Sequence, residues 1–208
     1  MDFGEKIAGE YGFRLLRVDL DDSLRGCVSV YNDIKVILVN QNDRSERQNF
    51  TIAHEIGHYE LGHLTGTEQT WEQEEEANLF AADLLLDPAE LRGLAYEPME
   101  KLKERFPHCS HEVIARQCLK HRDAVMTIFD NYHMTARILS PLIGRNRRIP
   151  LQDYEFDTVK RCLKQRKRLH RRNRELECWA NYIEDPPGTR FRRVILFTEG
   201  RGQFQDEW

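Results

Sequence analysis

His54, Glu55 and His58 stand in the order His-Glu-x-x-His within Phe50-Thr51-Ile52-Ala53-His54-Glu55-Ile56-Gly57-His58. On a helix, residues four apart share a face, so the two imidazoles can grip one metal ion. Glu55 follows His54 directly and points beside the metal, where its carboxylate can take a proton from an activated water. Ile52, Ala53, Ile56 and Gly57 are apolar or small, which predicts a buried helix. Two histidines and a glutamate on a buried helix each need a partner. A metal supplies one; a pair of hydrogen-bonded core histidines is the plainer alternative. The chemistry expected of the first option is hydrolysis, with water attacking a carbonyl that the metal polarises.

Catalytic zinc takes three protein ligands and leaves the fourth position for water. The third ligand has to come from elsewhere in the chain. A metzincin spacing would need glycine at position 61 and histidine at position 64, where this chain has Leu61 and Leu64. His63 is five residues from His58 and faces elsewhere on an ideal helix, so it is expected to be solvated or to support the site from behind. The next helical stretch is Glu74-Glu75-Glu76-Ala77-Asn78-Leu79-Phe80-Ala81-Ala82. Glu74, Asn78, Ala81 and Leu85 share a face there, and the small Ala77 and Ala81 allow two helices to approach closely.

Glu74-x-x-Ala77-Asn78-x-Phe80-Ala81-Ala82, followed by Leu84-Leu85-Leu86-Asp87-Pro88, resembles the ImmA/IrrE family of bacterial metallopeptidases. So does the Phe50–His58 segment, preceded by a strand ending in Val39-Asn40. The resemblance covers about residues 1–125. It extends to Phe106-Pro107-His108-Cys109-Ser110 and to Val113-Ile114-Ala115-Arg116. It implies one Zn2+ per chain held by His54, His58 and Glu74, with Glu55 as the catalytic base. Asn78 would orient a ligand through a hydrogen bond, and Glu75 and Glu76 would be solvated acids. Members of the family cleave a helix-turn-helix repressor encoded beside them. They thereby derepress mobile-element, stress-response, DNA-damage or antiviral defence genes, and the peptidases of anti-phage (CBASS-type) regulatory pairs are the nearest type. The resemblance thus implies a zinc endopeptidase whose partner is a helix-turn-helix repressor. The donor that would stabilise the oxyanion is open among His111, Tyr132 and His133.

The elements that must position these residues form an α+β fold, with a zincin-like (gluzincin) core as the resemblance implies. Asp2–Gly12 predicts a short helix. Phe13–Leu20, Gly26–Tyr31 and Lys35–Asn40 predict a small antiparallel sheet, with turns at Asp21–Ser23 and Asn32–Asp33. A loop over Gln41–Gln48 leads into helices over Phe50–Leu64 and Thr70–Leu86. Two short helices, Met99–Phe106 and Ser110–Lys120, suit a helical hairpin of helix-turn-helix type, with Ser110 as N-cap. Ala124–Phe129 and Phe191–Phe197 predict strands, and Tyr154–Ile183 a long polar helix. The expected organisation is a core over 1–97, the hairpin over 98–123 completing or covering the site, and a basic C-terminal α/β region over 124–208.

Charge divides the chain in two. Residues 1–100 hold 8 Lys/Arg against 21 Asp/Glu, a net −13, and residues 101–208 hold 23 against 14, a net +9. Arg137–Arg174 alone carries 13 basic and 3 acidic residues, a net +10. Such a segment suits either a nucleic-acid contact or a solvated face. Single-stranded DNA is the ligand expected, held by Arg145, Arg147, Arg148, Lys160, Lys164, Arg168, Arg171 and Arg172, with Tyr154 and Phe156 stacking on bases. A DNA-binding regulator with a structural metal is the competing functional reading.

No stretch approaches the roughly 20 apolar residues of a membrane helix, and Met1–Glu10 lacks the basic start and apolar run of a signal peptide. The cysteines, Cys27, Cys109, Cys118, Cys162 and Cys178, are odd in number and widely spaced. They read as reduced thiols of a cytoplasmic protein. Cys109 lies in a turn at a helix start, where a thiolate is favoured. It reads either as an ordinary small turn or cap residue or as an inhibitory fourth zinc ligand, at about 2.3 Å, that displaces the attacking water.

Overall fold

The computed structural model describes residues 2–21, 23–65, 69–143, 149–184 and 191–201. They fall into two compact units, Met1–Glu90 with Lys103–Val113, and Leu91–Leu102 with Ile114–Trp208. Both combine helices with a sheet, so the fold is α+β. Among the described residues, no helix is long and apolar enough to cross a membrane.

The first unit opens with α1 (Phe3–Glu10). The Glu5 N–H donates to the Asp2 carboxylate at 2.8 Å, and the Asp2 N–H donates back to the Glu5 carboxylate at 3.1 Å, a reciprocal cap. Strands β1 (Phe13–Val18), β2 (Gly26–Tyr31) and β3 (Ile34–Asn40) follow. Asn32 and Asp33, both at positive φ, make the two-residue turn between β2 and β3. The strand order is β1-β3-β2, with β2 antiparallel to β3 but β1 parallel to it. This corrects the expectation of a purely antiparallel sheet. Ile37 and Val39 of β3 are fully buried, so the most apolar strand takes the centre and separates β1 from β2.

Helix α2 (Ser45–Glu60) begins five residues earlier than the hydrophobic pattern of the sequence suggests, absorbing part of the expected loop. A short 3-10 helix (His63–Thr65) follows, then α3 (Trp71–Leu85) and α4 (Pro88–Arg92). Thr70 and Gln73 form the capping box that starts α3. Gly57 of α2 meets Ala77 of α3: a Cβ on Gly57 would lie 3.3 Å from both the Cα and the carbonyl oxygen of Ala77. A side chain at position 57 would press on the backbone of α3. Helices α5 (Met99–Arg105) and α6 (His111–Leu119) stand where two short helices are expected. The Val113 N–H donates to Ser110 Oγ at 3.2 Å, confirming Ser110 as a cap.

The second unit holds β4 (Val125–Asp130), β5 (His133–Leu139), α7 (Asp153–Gln165), β6 (Leu169–Arg172), β7 (Leu176–Ile183) and β8 (Arg193–Gly200). Its strands run in the order β5-β4-β8-β7-β6, each antiparallel to its neighbours. Val159, Cys162 and Leu163 of α7 pack on Phe129, Leu176, Cys178, Ala180, Val194 and Leu196 of the sheet. The long helix expected over Tyr154–Ile183 does not form. Helix α7 stops at Gln165, Arg166 turns the chain at φ 50°, and β6 and β7 form a hairpin. Asn173 Oδ1 fixes that hairpin by accepting from the N–H groups of Glu175 and Leu176. The alternation of buried Leu176, Cys178 and Ala180 follows the period of a strand rather than of a helix.

Candidate metal centre

The last turns of α2 and the first turn of α3 bring three ligand groups together. His54 Nε2 and His58 Nε2 are 2.9 Å apart. Glu74 places one carboxylate oxygen 3.4 Å from His54 Nε2 and the other 3.3 Å from His58 Nε2. The ligand atoms of the three residues all lie within 4.8 Å of one another. Glu74 also sits where the positive end of α3 favours a carboxylate.

Burial depresses both imidazoles below the usual histidine range, and the neighbouring Glu74 charge only partly opposes it. Both rings are therefore neutral near pH 7, the state in which a ring nitrogen can bind a cation. A protein-only account of the cluster is incomplete. Two neutral rings share at most one proton between their facing Nε2 atoms, and the half-exposed carboxylate otherwise has mainly solvent as its donor. A divalent cation satisfies all three groups at once, and two imidazoles with a carboxylate suit zinc among others. The donor set fits a metal.

Glu55 lies beside this group without being part of it. Burial, seconded by the Glu74 charge, raises its carboxyl to about 7. The Val28 backbone N–H opposes the rise by donating to the carboxylate. Glu55 is thus held by the edge strand β2, which reaches α2 only because its first residue is Gly26. A Cβ there would meet Thr51 Cγ2 at 2.5 Å and the Leu38 carbonyl oxygen at 2.8 Å. Asn78, one turn beyond Glu74, hydrogen-bonds His54.

The structure does not bring Cys109 into this group. Its sulfur is fully buried and points at the Leu85 carbonyl oxygen, 3.8 Å away. Burial pushes the thiol up to about 12. The local helix start cannot make a thiolate of a sulfur so desolvated, and Cys109 acts as a small core residue of the first unit.

The basic segment is partly consumed by internal pairing. Arg137 forms a two-pronged ion pair with the fully buried Glu155, both contacts at 3.1 Å. Arg171 binds Asp157 at 2.7 Å and lies over the Tyr154 ring. Arg168 is half-buried. Lys160, Lys164 and Arg172 are exposed, as are Arg166, Lys167 and Arg174. Tyr154 and Phe156 pack against the core, so they are not the free stacking platforms the sequence suggested. Arg145, Arg147 and Arg148 lie outside the described residues. Tyr132 and His133 stand at the β4–β5 turn of the second unit, and His111 opens α6 in the first.

His63 and Glu76, which the sequence does not place in the ligand set, also meet here. In the structure His63 is buried and bridges His58 to Glu76. The signal available was Gly62, which breaks the helix between the two histidines.

Comparison of the sequence with curated proteins finds no match. The fold is similar to that of a Mycobacterium tuberculosis transcriptional regulator, with a TM-score of 0.65 at 15% identity over 95% of this chain and 68% of that one. At that identity the likeness is one of fold alone. The profile of the IrrE N-terminal-like domain, Peptidase M78, matches residues 8–118, a span that contains all of His54, Glu55, His58 and Glu74. That match takes in more than half of the sequence, and the chain belongs to the ImmA/IrrE (Peptidase M78) family.

Proposed function

We propose that this protein is a zincin-like (gluzincin) zinc endopeptidase that cleaves a partner helix-turn-helix repressor, in or near a linker. The observation that carries this reading is Glu55. A structural metal site needs three or four ligands but no free carboxyl beside them, buried and raised to about 7.

His54, His58 and Glu74 would hold one zinc ion. When bound, zinc would polarise the scissile carbonyl and acidify water. Glu55 takes the proton of the attacking water and returns it to the leaving amine. The Val28 N–H orients its carboxylate for the task. Exposed Lys160, Lys164, Arg166, Lys167, Arg172 and Arg174 support single-stranded DNA as the trigger.

A second reading, a non-catalytic DNA-binding regulator with a structural metal, draws support from the regulator whose fold this chain shares. One experiment separates the two. Wild type and Glu55→Gln are incubated, with zinc, with the repressor encoded nearest the gene. The peptidase reading expects both to bind zinc and only wild type to cut. If wild type binds zinc but leaves the repressor intact, with and without single-stranded DNA, the regulator reading takes its place.

A further inference from the structure

We propose that His63 and Glu76 form a hydrogen-bond relay behind His58 that fixes its tautomer and presents its Nε2 lone pair to the metal. The metal half of this proposal rests on reading His54, His58 and Glu74 as a metal site; the relay itself does not.

Helix α2 ends where the Leu61 N–H donates to the Gly57 carbonyl at 3.0 Å, and Gly62 then takes φ +75°. That left-handed residue turns the chain back. The 3-10 helix that follows puts His63 against the end of α2, 7% exposed. His63 Nδ1 lies 3.1 Å from His58 Nδ1, and His63 Nε2 lies 3.2 Å from Glu76 Oε2. A continuous helix would hold residues 58 and 63 on different faces. The glycine break is what joins them.

The protons follow from the partners. The Glu76 carboxylate can only accept, so a neutral His63 carries its proton on Nε2 and donates it there. His63 Nδ1 is then a bare lone pair and must accept. The donor facing it is His58 Nδ1–H. With its single proton on Nδ1, His58 keeps Nε2 free, and Nε2 is the atom that faces His54 and Glu74. His54 differs: its Nδ1 is buried with no partner among the described residues, and its hydrogen-bonding neighbour is Asn78 rather than a histidine. His63 and Glu76 are positioning residues that act through His58.

The test uses the full chain. Imidazole 15N NMR of the metal-free protein reads which nitrogen of His58 is protonated, and competition with a chromogenic chelator reads zinc affinity. Wild type should show His58 protonated on Nδ1. Glu76→Leu and His63→Ala should shift His58 toward a tautomer mixture and weaken zinc binding about 10–100-fold. Glu76→Gln, whose amide oxygen still accepts, should keep both near wild type. The Glu76 side chain is 61% exposed, so its variants leave the core untouched even if His63→Ala fails to fold. A His58 tautomer unchanged by Glu76→Leu overturns the relay, whatever zinc does. A wild type that binds no zinc but holds His58 on Nδ1 supports the relay and overturns the metal-site reading instead.

Discussion

Gly57 of α2 faces the backbone of Ala77 of α3, a close approach between the helix that carries both histidines and the one that carries Glu74. A Cβ at position 57 would come within 3.1 Å of Phe80 Cδ1 and 3.3 Å of Ala77 Cα and carbonyl oxygen. Two of those three atoms are backbone and cannot swing aside. Gly57→Val should therefore push the helices apart and destabilise the fold by about 1–3 kcal/mol. It should also weaken zinc binding, because the ligands sit on both helices. Gly57→Ala gains about 1 kcal/mol of helix propensity against that strain, so its effect should be smaller. A Gly57→Val protein with wild-type urea midpoint and zinc affinity would show that the contact does not set the site.

The ligand set makes a second prediction. His54→Ala, His58→Ala and Glu74→Gln should each lose stoichiometric zinc, while Glu75→Gln, on the exposed side of α3, should retain it. Zinc should raise the melting temperature of the wild type and not of the three ligand variants, since binding to the folded state alone adds its free energy to stability. Zinc retained by Glu74→Gln would move the third ligand elsewhere.

These two predictions differ in how far the sequence alone could carry them. The pairing of His54 with His58 is legible because a spacing of four has one meaning on a helix. The approach of Glu74 is half legible: Ala77 and Ala81 announce a close helix contact, but the carboxylate that reaches the site depends on where α3 begins. The His63–Glu76 bridge is legible only in part: Gly62 marks a break in the helix, but not that the chain turns back to set His63 between His58 and Glu76. The β6–β7 hairpin was hidden for another reason. Its flanking arginines and lysines masked the alternation of Leu176, Cys178 and Ala180. Arg137 and Arg171 looked like free cations because the acids that neutralise them, Glu155 and Asp157, lie 18 and 14 residues away along the chain.

The basic segment yields a third prediction. With Arg137 and Arg171 paired internally, any phosphate contact by the described residues falls to exposed cations such as Lys160, Lys164 and Arg172. Single-stranded oligonucleotides should bind at low ionic strength and dissociate steeply with salt, as counterion release requires. Lys160→Glu with Lys164→Glu should reduce the affinity and flatten the salt slope, whereas Arg171→Gln should act mainly on stability. Binding that is absent at low salt, or indifferent to the double variant, would make this face a solvated one.

The cysteines make the last prediction, in pH and in reactivity. Burial raises Cys109, Cys118, Cys162 and Cys178 to about 12. In the unfolded chain the same thiols ionise near 9. Between those values the folded state binds more protons than the unfolded one, so stability is complete below pH 9 and falls as pH rises toward 12. Each thiol contributes a slope of up to about 1.4 kcal/mol per pH unit in that window. Cys118, 1% exposed, is the clearest probe. Arg122 opposes its shift without cancelling it. The stability difference between wild type and Cys118→Ala should be constant below pH 9 and shrink or reverse between pH 9 and 11, as read by urea unfolding. At pH 8 a disulfide reagent should label Cys27 first, because it alone is partly exposed, though burial and the Glu55 charge slow it by raising its thiol. Rapid labelling of Cys109 in the folded protein would overturn its assignment as a core thiol and return it to the neighbourhood of the metal.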